Sequence, residues 1–238
     1  MDTSLKNKKV LITAGPTREY IDPVRFISNE SSGKMGYAIA EALHQMGADV
    51  ILVSGPVFIT STFPKDRIKN VLTGKEMYLE CKKYFDSIDI AVFCAAVADY
   101  APKVTSNIKI KKIESETILE LQKNIDIAFE FGIVKKIKQK SIGFALETNN
   151  IHENAINKLE KKNFDLVVLN SPNKNEGFGY NTNKITIIDA DLSVHVFPIK
   201  EKKEVALDII NFIEKTYQEA LPENHNLANS SVSFPLQF

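Results

Sequence analysis

Gly15 and Gly33 bracket the stretch ITAGPTREYIDPVRFISNESSGKMG (residues 12–36), which combines residue types able to hold an anion against a backbone. Gly15 lets the chain turn close to a ligand, because it lacks the Cβ that would obstruct the approach. Ser31 or Ser32 is placed to cap a helix whose first turn contains Gly33, Lys34 and Gly36. A helix N-terminus offers unbonded N–H groups and partial positive charge, both suited to phosphate. Arg18, Arg25 and Lys34 add formal charge nearby. Read locally, the same residues also fit a plain strand stop and helix cap.

Other chemistries find less support. The dinucleotide fingerprint G-x-G-x-x-G is not there: only Gly33-x-x-Gly36 matches, displaced from the strand by the loop, and the P-loop pattern is missing too. An NAD(P)-dependent oxidoreductase calls for a selector residue after the second strand, where Ser54-Gly55-Pro56 stands. His44, His152, His195 and His225 show no metal-ligand spacing. Neither Cys81 nor Cys94 sits in a setting that would activate a thiolate.

The elements that must position these residues follow from the apolar periodicity. Lys9–Thr13 and Asp49–Ser54 read as buried strands, with a helix over residues 33–47 between them that places Met35, Ala38, Ile39, Ala42, Leu43 and Met46 on one face. All-apolar strands in a βαβ unit belong to a parallel sheet covered on both sides. The rhythm continues with a strand at Ile68–Leu72, a helix at Gly74–Phe85 and a buried strand at Ile88–Cys94. Lysine and isoleucine then alternate through Ile108–Ile113, the pattern of an exposed β-ribbon. A helix over Ala128–Gln139, a strand at Ser141–Ala145, a helix at His152–Lys162 and a strand at Leu166–Asn170 restore the order. A hairpin (Lys184–Asp189 with Ser193–Pro198) and a final amphipathic helix, Val205–Tyr217, complete it. The expected fold is α/β: a doubly wound, mostly parallel, Rossmann-like sheet with an inserted ribbon, one domain over residues 1–222 and a disordered polar tail over 223–238.

Thirty basic and thirty acidic side chains cancel, which argues against a nucleic-acid partner. The N-terminus MDTSLKNKK has no apolar core, and no apolar run approaches the ~20 residues of a membrane span. With two cysteines, neither in a disulfide-like pattern, a reduced cytoplasmic setting is expected.

The segments KKVLITAGPTREYIDPVRFISNESSGKMGYAIAEAL, AAVADYAP, KIKK, GFALETNN and KLEKKNFDLVVLN, in that order, resemble the phosphopantothenoylcysteine synthetase family over roughly residues 8–217. The resemblance implies a ligase of coenzyme A biosynthesis. The carboxylate of 4'-phosphopantothenate attacks the α-phosphate of a nucleoside triphosphate, giving an acyl-nucleotide and pyrophosphate; the amine of L-cysteine then displaces the nucleoside monophosphate. It implies Mg²⁺ carried by the triphosphate, with no metal ligand assigned among the side chains. CTP is expected before ATP, because the compact domain and the K-x-K-K spacing are of the bacterial kind. It also implies a homodimer with the ribbon or neighbouring strands in contact. Many bacterial members carry a flavin-dependent decarboxylase domain ahead of the synthetase; here the motifs begin at residue 8, so a monofunctional form is expected, with that activity on another chain.

Residue by residue, the resemblance assigns Asn29 to handling of the acyl-nucleotide, where a neutral amide can stabilise a developing oxyanion without titrating. Gly15, Ser32 and Gly33 are placed at the nucleotide by the loop chemistry above; the resemblance adds Phe93, Cys94 and Ala95, and matches Asp99 to a ribose hydroxyl or a base amino group. Lys109 matches the first lysine of K-x-K-K. On an alternating ribbon it shares a face with Lys111 and opposes Lys112, and a mobile ribbon would carry it onto the triphosphate as a lid; a solvated basic edge strand has the same pattern. Ile125, Asp126, Ile127 and Ala128 open a helix at the nucleotide, with Asn124 as its expected N-cap and Ile125 where the family commonly has proline. Phe144 matches an aromatic contact, and Lys158 and Lys162, an i, i+4 pair, address the nucleotide. A nucleotide-binding sensor without chemistry is the alternative outside enzymes.

Overall fold

The computed structural model describes residues 4–112, 116–146, 150–170 and 180–219; the tail expected at 223–238 lies outside them. In chain order the strands and helices begin β1 (Lys9–Ala14), β2 (Arg18–Tyr20), β3 (Phe26–Ser28), α1 (Lys34–Gln45), β4 (Asp49–Ser54), β5 (Ile68–Asn70) and α2 (Gly74–Phe85). They continue with β6 (Ile90–Phe93), β7 (Tyr100–Pro102), β8 (Leu121–Lys123), α3 (Ile127–Val134), β9 (Lys140–Leu146), α4 (Ile151–Lys161) and β10 (Leu166–Asn170). The last are β11 (Thr182–Asn183), β12 (Ile185–Asp189), β13 (Val194–Val196), β14 (Lys200–Glu201) and α5 (Lys202–Glu219).

Successive side chains of β1 leave opposite faces of the sheet. Val10, Ile12 and Ala14 pack with Ile39 and Leu43 of α1 and Ile209 and Ile213 of α5. Leu11 packs on the other side, in the layer formed by Met77 and Cys81 of α2, Phe131 of α3 and Leu159 of α4. The near-continuous apolar runs of β1, β6 and β10 follow from this two-sided burial. The sheet runs β13-β12-β10-β9-β6-β1-β4-β5, parallel from β5 to β10, with β12 and β13 added antiparallel at one edge. The parallel part has the doubly wound 3-2-1-4-5-6 strand order, so the order reverses between β1 and β6. Among the described residues no helix is long and apolar enough to cross a membrane.

Three local readings are corrected by the structure. The ribbon pairs at its base, where Tyr100–Pro102 lies antiparallel to Leu121–Lys123; Ile108–Lys112 forms no strand, and Ile113 lies outside the described residues. The lysine–isoleucine run has no neighbouring strand to pair with, so alternation alone does not make a ladder. The helix expected to reach Gln139 stops at Val134. Beyond it Lys135 turns away, its ammonium bonded to Asp165 (2.8 Å), while the Gln139 side chain accepts from the Lys136 N–H (2.9 Å) and donates to the Ile88 carbonyl (3.1 Å). The exposed Ile133, Val134 and Ile137 offer no apolar face to prolong it. The strand expected to end at Cys94 ends at Phe93. The long connection from β1 to α1 is not featureless, for β2 and β3 form a small antiparallel hairpin inside it.

Candidate functional site

At a reversal of strand order the loops leaving the carboxyl ends of two neighbouring strands diverge and open a crevice. Here these are the loops after β1 and β6, and the crevice is a cavity of about 970 Å³. Gly33 opens α1 in the left-handed conformation, with φ of 74°, and Gly15 has φ of 75°. A Cβ on Gly33 would stand 2.7 Å from Val57 Cγ1 and 3.3 Å from the Gly15 Cα. The two glycines are therefore packed against each other, with Gly15 beneath Gly33 and not itself lining the cavity.

The expectation that Ser31 or Ser32 caps α1 is corrected. The N-cap is Gly33, which has no side chain to cap the helix, and Ser31 Oγ instead accepts from the Gly33 N–H at 3.3 Å. The left-handed glycine swings the chain into the helix and takes the serine hydroxyls out of capping position. No acidic residue occupies the first turn, so the partial positive charge of the helix end is not offset there.

The two loops are stitched together. Pro16 and Ala96 form a parallel bridge; the Ala96 N–H donates to the Gly15 carbonyl (2.9 Å), and the Ala98 N–H donates to Thr17 Oγ1 (3.1 Å). Asn29 Nδ2 donates to the Val97 carbonyl at 3.0 Å and, at the longer distance of 3.5 Å, to the Ala96 carbonyl, so the amide proposed for an oxyanion holds one loop to the other. Asn29, Ser32, Gly33 and Lys34 form one wall.

Phe93, Cys94 and Ala95 line the opposite side. The Phe93 ring belongs to the core, 6.1 Å from the Phe131 ring and 6.0 Å from that of Phe164. Burial pushes the Cys94 thiol up to about 12, against a smaller opposing pull from Lys202, so it is a protonated thiol at neutral pH. Asp99 is exposed at the rim.

Ile125, Asp126, Ile127 and Ala128 line the cavity at the start of α3, but the cap is Asp126, whose Oδ1 accepts from the Phe129 N–H at 3.2 Å. Asn124, expected in that role, instead accepts from the Ile125 N–H (2.9 Å) and donates to the Ala98 carbonyl (3.0 Å), tying the helix entry to the loop after β6. Lys158 and Lys162 face the cavity from α4 and its end, and Lys162 pairs with Asp126 at 2.9 Å. Phe144 lines the cavity at the carboxyl end of β9.

Lys109 stands apart. It is exposed and does not line the cavity; its neighbour Ile110 is moored to the first loop, donating its N–H to Asp22 Oδ2 (3.1 Å) and accepting from Arg25 Nη2 (2.7 Å).

Lining residues that escaped sequence reasoning include Glu30, Lys123, Asn170, Asn183 and Lys202. Asn170 ends a parallel strand, which is a usable signal, since ligands gather at that edge. Lys202, at the start of α5, carries no signal at all. It is 8% exposed and donates to the Tyr180 carbonyl at 2.8 Å; burial and the nearby Lys34 charge lower its pKa, against a smaller opposing effect of Cys94. Among the described residues no group of three His, Cys, Asp or Glu side chains is placed to hold a metal.

Comparison with known proteins agrees with this architecture. A cysteine/cysteine sulfinic acid decarboxylase from an unknown prokaryotic organism is 47% identical over 210 residues, 88% of this chain and 58% of that protein. The coenzyme A biosynthesis bifunctional protein CoaBC of Bacillus subtilis (strain 168) is 44% identical over 210 residues, 88% of this chain and 52% of that protein. The chain spans about half the length of these curated relatives. The crystal structure of the C-terminal domain of CoaBC matches with a TM-score of 0.76 at 39% identity, covering 91% of this chain and 99% of that one. A Cab2 variant in complex with phosphopantothenate-cysteine, 16% identical over 90% of this chain and 88% of its own, shares the fold with a TM-score of 0.70. Residues 5–217 match the family profile, and the chain belongs to the DNA/pantothenate metabolism flavoprotein C-terminal domain family.

Proposed function

We propose that this chain is a phosphopantothenate–cysteine ligase of coenzyme A biosynthesis. The reaction forms an acyl-nucleotide from 4'-phosphopantothenate and a nucleoside triphosphate, then transfers the acyl group to the amine of L-cysteine. The carrying observation is the convergence on one cavity of the α1 N-terminus, Asn29, the loop after β6, the start of α3 and the lysines of α4. Membership of the family and the CoaBC name borne by a relative support the same reading. The 47%-identical relative is named a decarboxylase, but part of that protein lies outside the match.

In this reading the N–H groups of α1 and the ammonium of Lys34 hold the phosphates. Asn29 keeps its bond to the Val97 carbonyl, gives up the long one to the Ala96 carbonyl, and turns that amide hydrogen to the oxygen that gains charge as each tetrahedral centre forms. Lys158 and Lys162 address the nucleotide across from them. The arm over residues 103–112 folds down to deliver Lys109 to the triphosphate and to keep water from the acyl-nucleotide. Mg²⁺ would be carried by the triphosphate, and the lining carboxylates Asp99 and Glu30 could complete its oxygen shell, where it would neutralise phosphate charge. We favour CTP over ATP, a homodimer, and a cytoplasmic location, all on the ground of the resemblance and composition described above.

Pyrophosphate release measured with 4'-phosphopantothenate, L-cysteine and Mg²⁺, under CTP and ATP in turn, tests the proposal. Release that requires phosphopantothenate and is faster with CTP is expected. Nucleotide binding without such release would make the protein a sensor, and preferential use of ATP would overturn the choice of CTP.

A further inference from the structure

We propose that Lys202, Lys34 and the carboxamide of Asn183 form a phosphoryl-anion subsite at the α5 end of the cavity. The proposal deepens the ligase reading and rests on it for the choice of ligand. Strand β11 lies antiparallel to β14, with Asn183 opposite Lys200, which puts Asn183 beside the start of α5. The Lys202 N–H donates to the Asn181 carbonyl at 2.9 Å, and Lys34 Nζ donates to Asn181 Oδ1 at 2.7 Å. The first turns of α1 and α5 therefore meet at Asn181, the residue just before β11, and both lysines line the cavity.

Asn183 is 2% exposed, and its Nδ2 donates to Asn170 Oδ1 at 2.8 Å. Its Oδ1, an acceptor as placed, is buried with no hydrogen-bond partner among the described residues. Buried polar atoms are nearly always satisfied, so an orphan in a cavity wall is a place a ligand atom can complete. Turning the Asn170 and Asn183 amides over together keeps the bond between them and leaves Asn183 with a donor at the unmet position.

Two ammonium groups at one end of a cavity oppose each other, and burial makes the Lys202 charge costlier still. An anion reaching both relieves each of these effects, and the uncapped end of α1 adds N–H donors to the same region. In the proposed reaction two substrates carry such a group: the nucleotide through its triphosphate, and phosphopantothenate through its 4'-phosphate.

Isothermal titration of the wild type and of Lys202→Met with inorganic pyrophosphate, CTP and 4'-phosphopantothenate, each with Mg²⁺, tests the subsite. Lys202→Met is expected to weaken pyrophosphate and CTP by about tenfold or more, the size of one lost charge-assisted hydrogen bond. Loss confined to those two assigns the subsite to the nucleotide tail; loss confined to phosphopantothenate assigns it to the 4'-phosphate; either supports a phosphoryl site. Wild-type affinity for all three, in a variant that melts like the wild type, overturns it. If Lys202→Met does not fold, Lys34→Met and Asn183→Ser carry the same readout. A wild type that binds pyrophosphate through Lys202 yet shows no phosphopantothenate-dependent pyrophosphate release keeps the subsite and ends the ligase reading. The opposite pair of results keeps the ligase and ends the subsite.

Discussion

Asp22 and Ile110, 88 residues apart in the chain, meet where the Asp22 carboxylate accepts the Ile110 N–H at 3.1 Å. Arg25 completes the junction, donating its Nε to Asp22 (2.9 Å) and its Nη2 to the Ile110 carbonyl (2.7 Å). A fully buried carboxylate in the first loop thus moors the lysine-bearing arm. Asp22→Asn keeps the shape and removes the charge, so the arm should loosen. Limited trypsin digestion is expected to cut after Lys109, Lys111 or Lys112 several-fold faster in the variant; an unchanged rate would deny the mooring.

The same carboxyl is held well below the usual carboxylate range, chiefly by the Arg25 side chain, with backbone N–H groups of Val24, Ile110 and Arg25 helping against the opposing effect of burial. A carboxylate with a depressed folded pKa contributes stability above its unfolded value, and that contribution disappears as pH falls toward the folded one. Wild-type melting temperature should therefore fall on acidification below about pH 4. Asp22→Asn should start lower at neutral pH and show a shallower acid decline. Parallel curves for the two proteins would assign the acid loss to other groups.

Gly33→Ala introduces a left-handed alanine, costing about 1–2 kcal/mol. Its Cβ also falls 2.7 Å from Val57 Cγ1. Denaturant unfolding should show the double variant Gly33→Ala, Val57→Ala losing less than the sum of the two single losses, because the clash is shared. Strict additivity would mean that Val57 moves aside at no cost.

Asn29→Asp replaces the donor to the Val97 carbonyl with an acceptor and places a negative charge where an oxyanion must form. Cysteine transfer should slow more than activation, so rapid-quench experiments should trap acyl-nucleotide. Turnover equal to wild type would remove Asn29 from the chemistry.

Lys109→Gln should slow the activation half-reaction by an amount equivalent to ~2–4 kcal/mol, as for loss of an electrostatic transition-state contact. The residue is exposed, so the melting temperature should hardly move. Unimpaired pyrophosphate formation would reduce Lys109 to a surface charge.

What could be read from the residues was whatever depended on local periodicity and burial. Leu166–Asn170 was legible to the residue, because a parallel central strand needs an unbroken apolar run between turn signals. The loop after β1 was legible as a ligand edge because glycines and serines replaced the apolar run there. Contacts made by long-range pairing were not legible. Lys202 reaches the cavity only because two two-residue strands, β11 and β14, happen to pair, and segments that short have no periodicity. Capping was misread at Ser31, Ser32 and Asn124 for a related reason: a left-handed Gly33 and an Asp126 two residues further on compete for the same job, and only the backbone angles decide.

The seam formed by Asn29, Gly15, Pro16 and Thr17 with residues 96–98 has one further consequence. The crevice has a fixed base: its two lips are sewn together below the ligand and cannot spread like a clamshell. Size selection must therefore be rigid at the bottom and adaptable only from the roof, so analogues bulked on the side facing Ala95 and Ala96 should be refused outright, whereas bulk directed toward the arm should be tolerated.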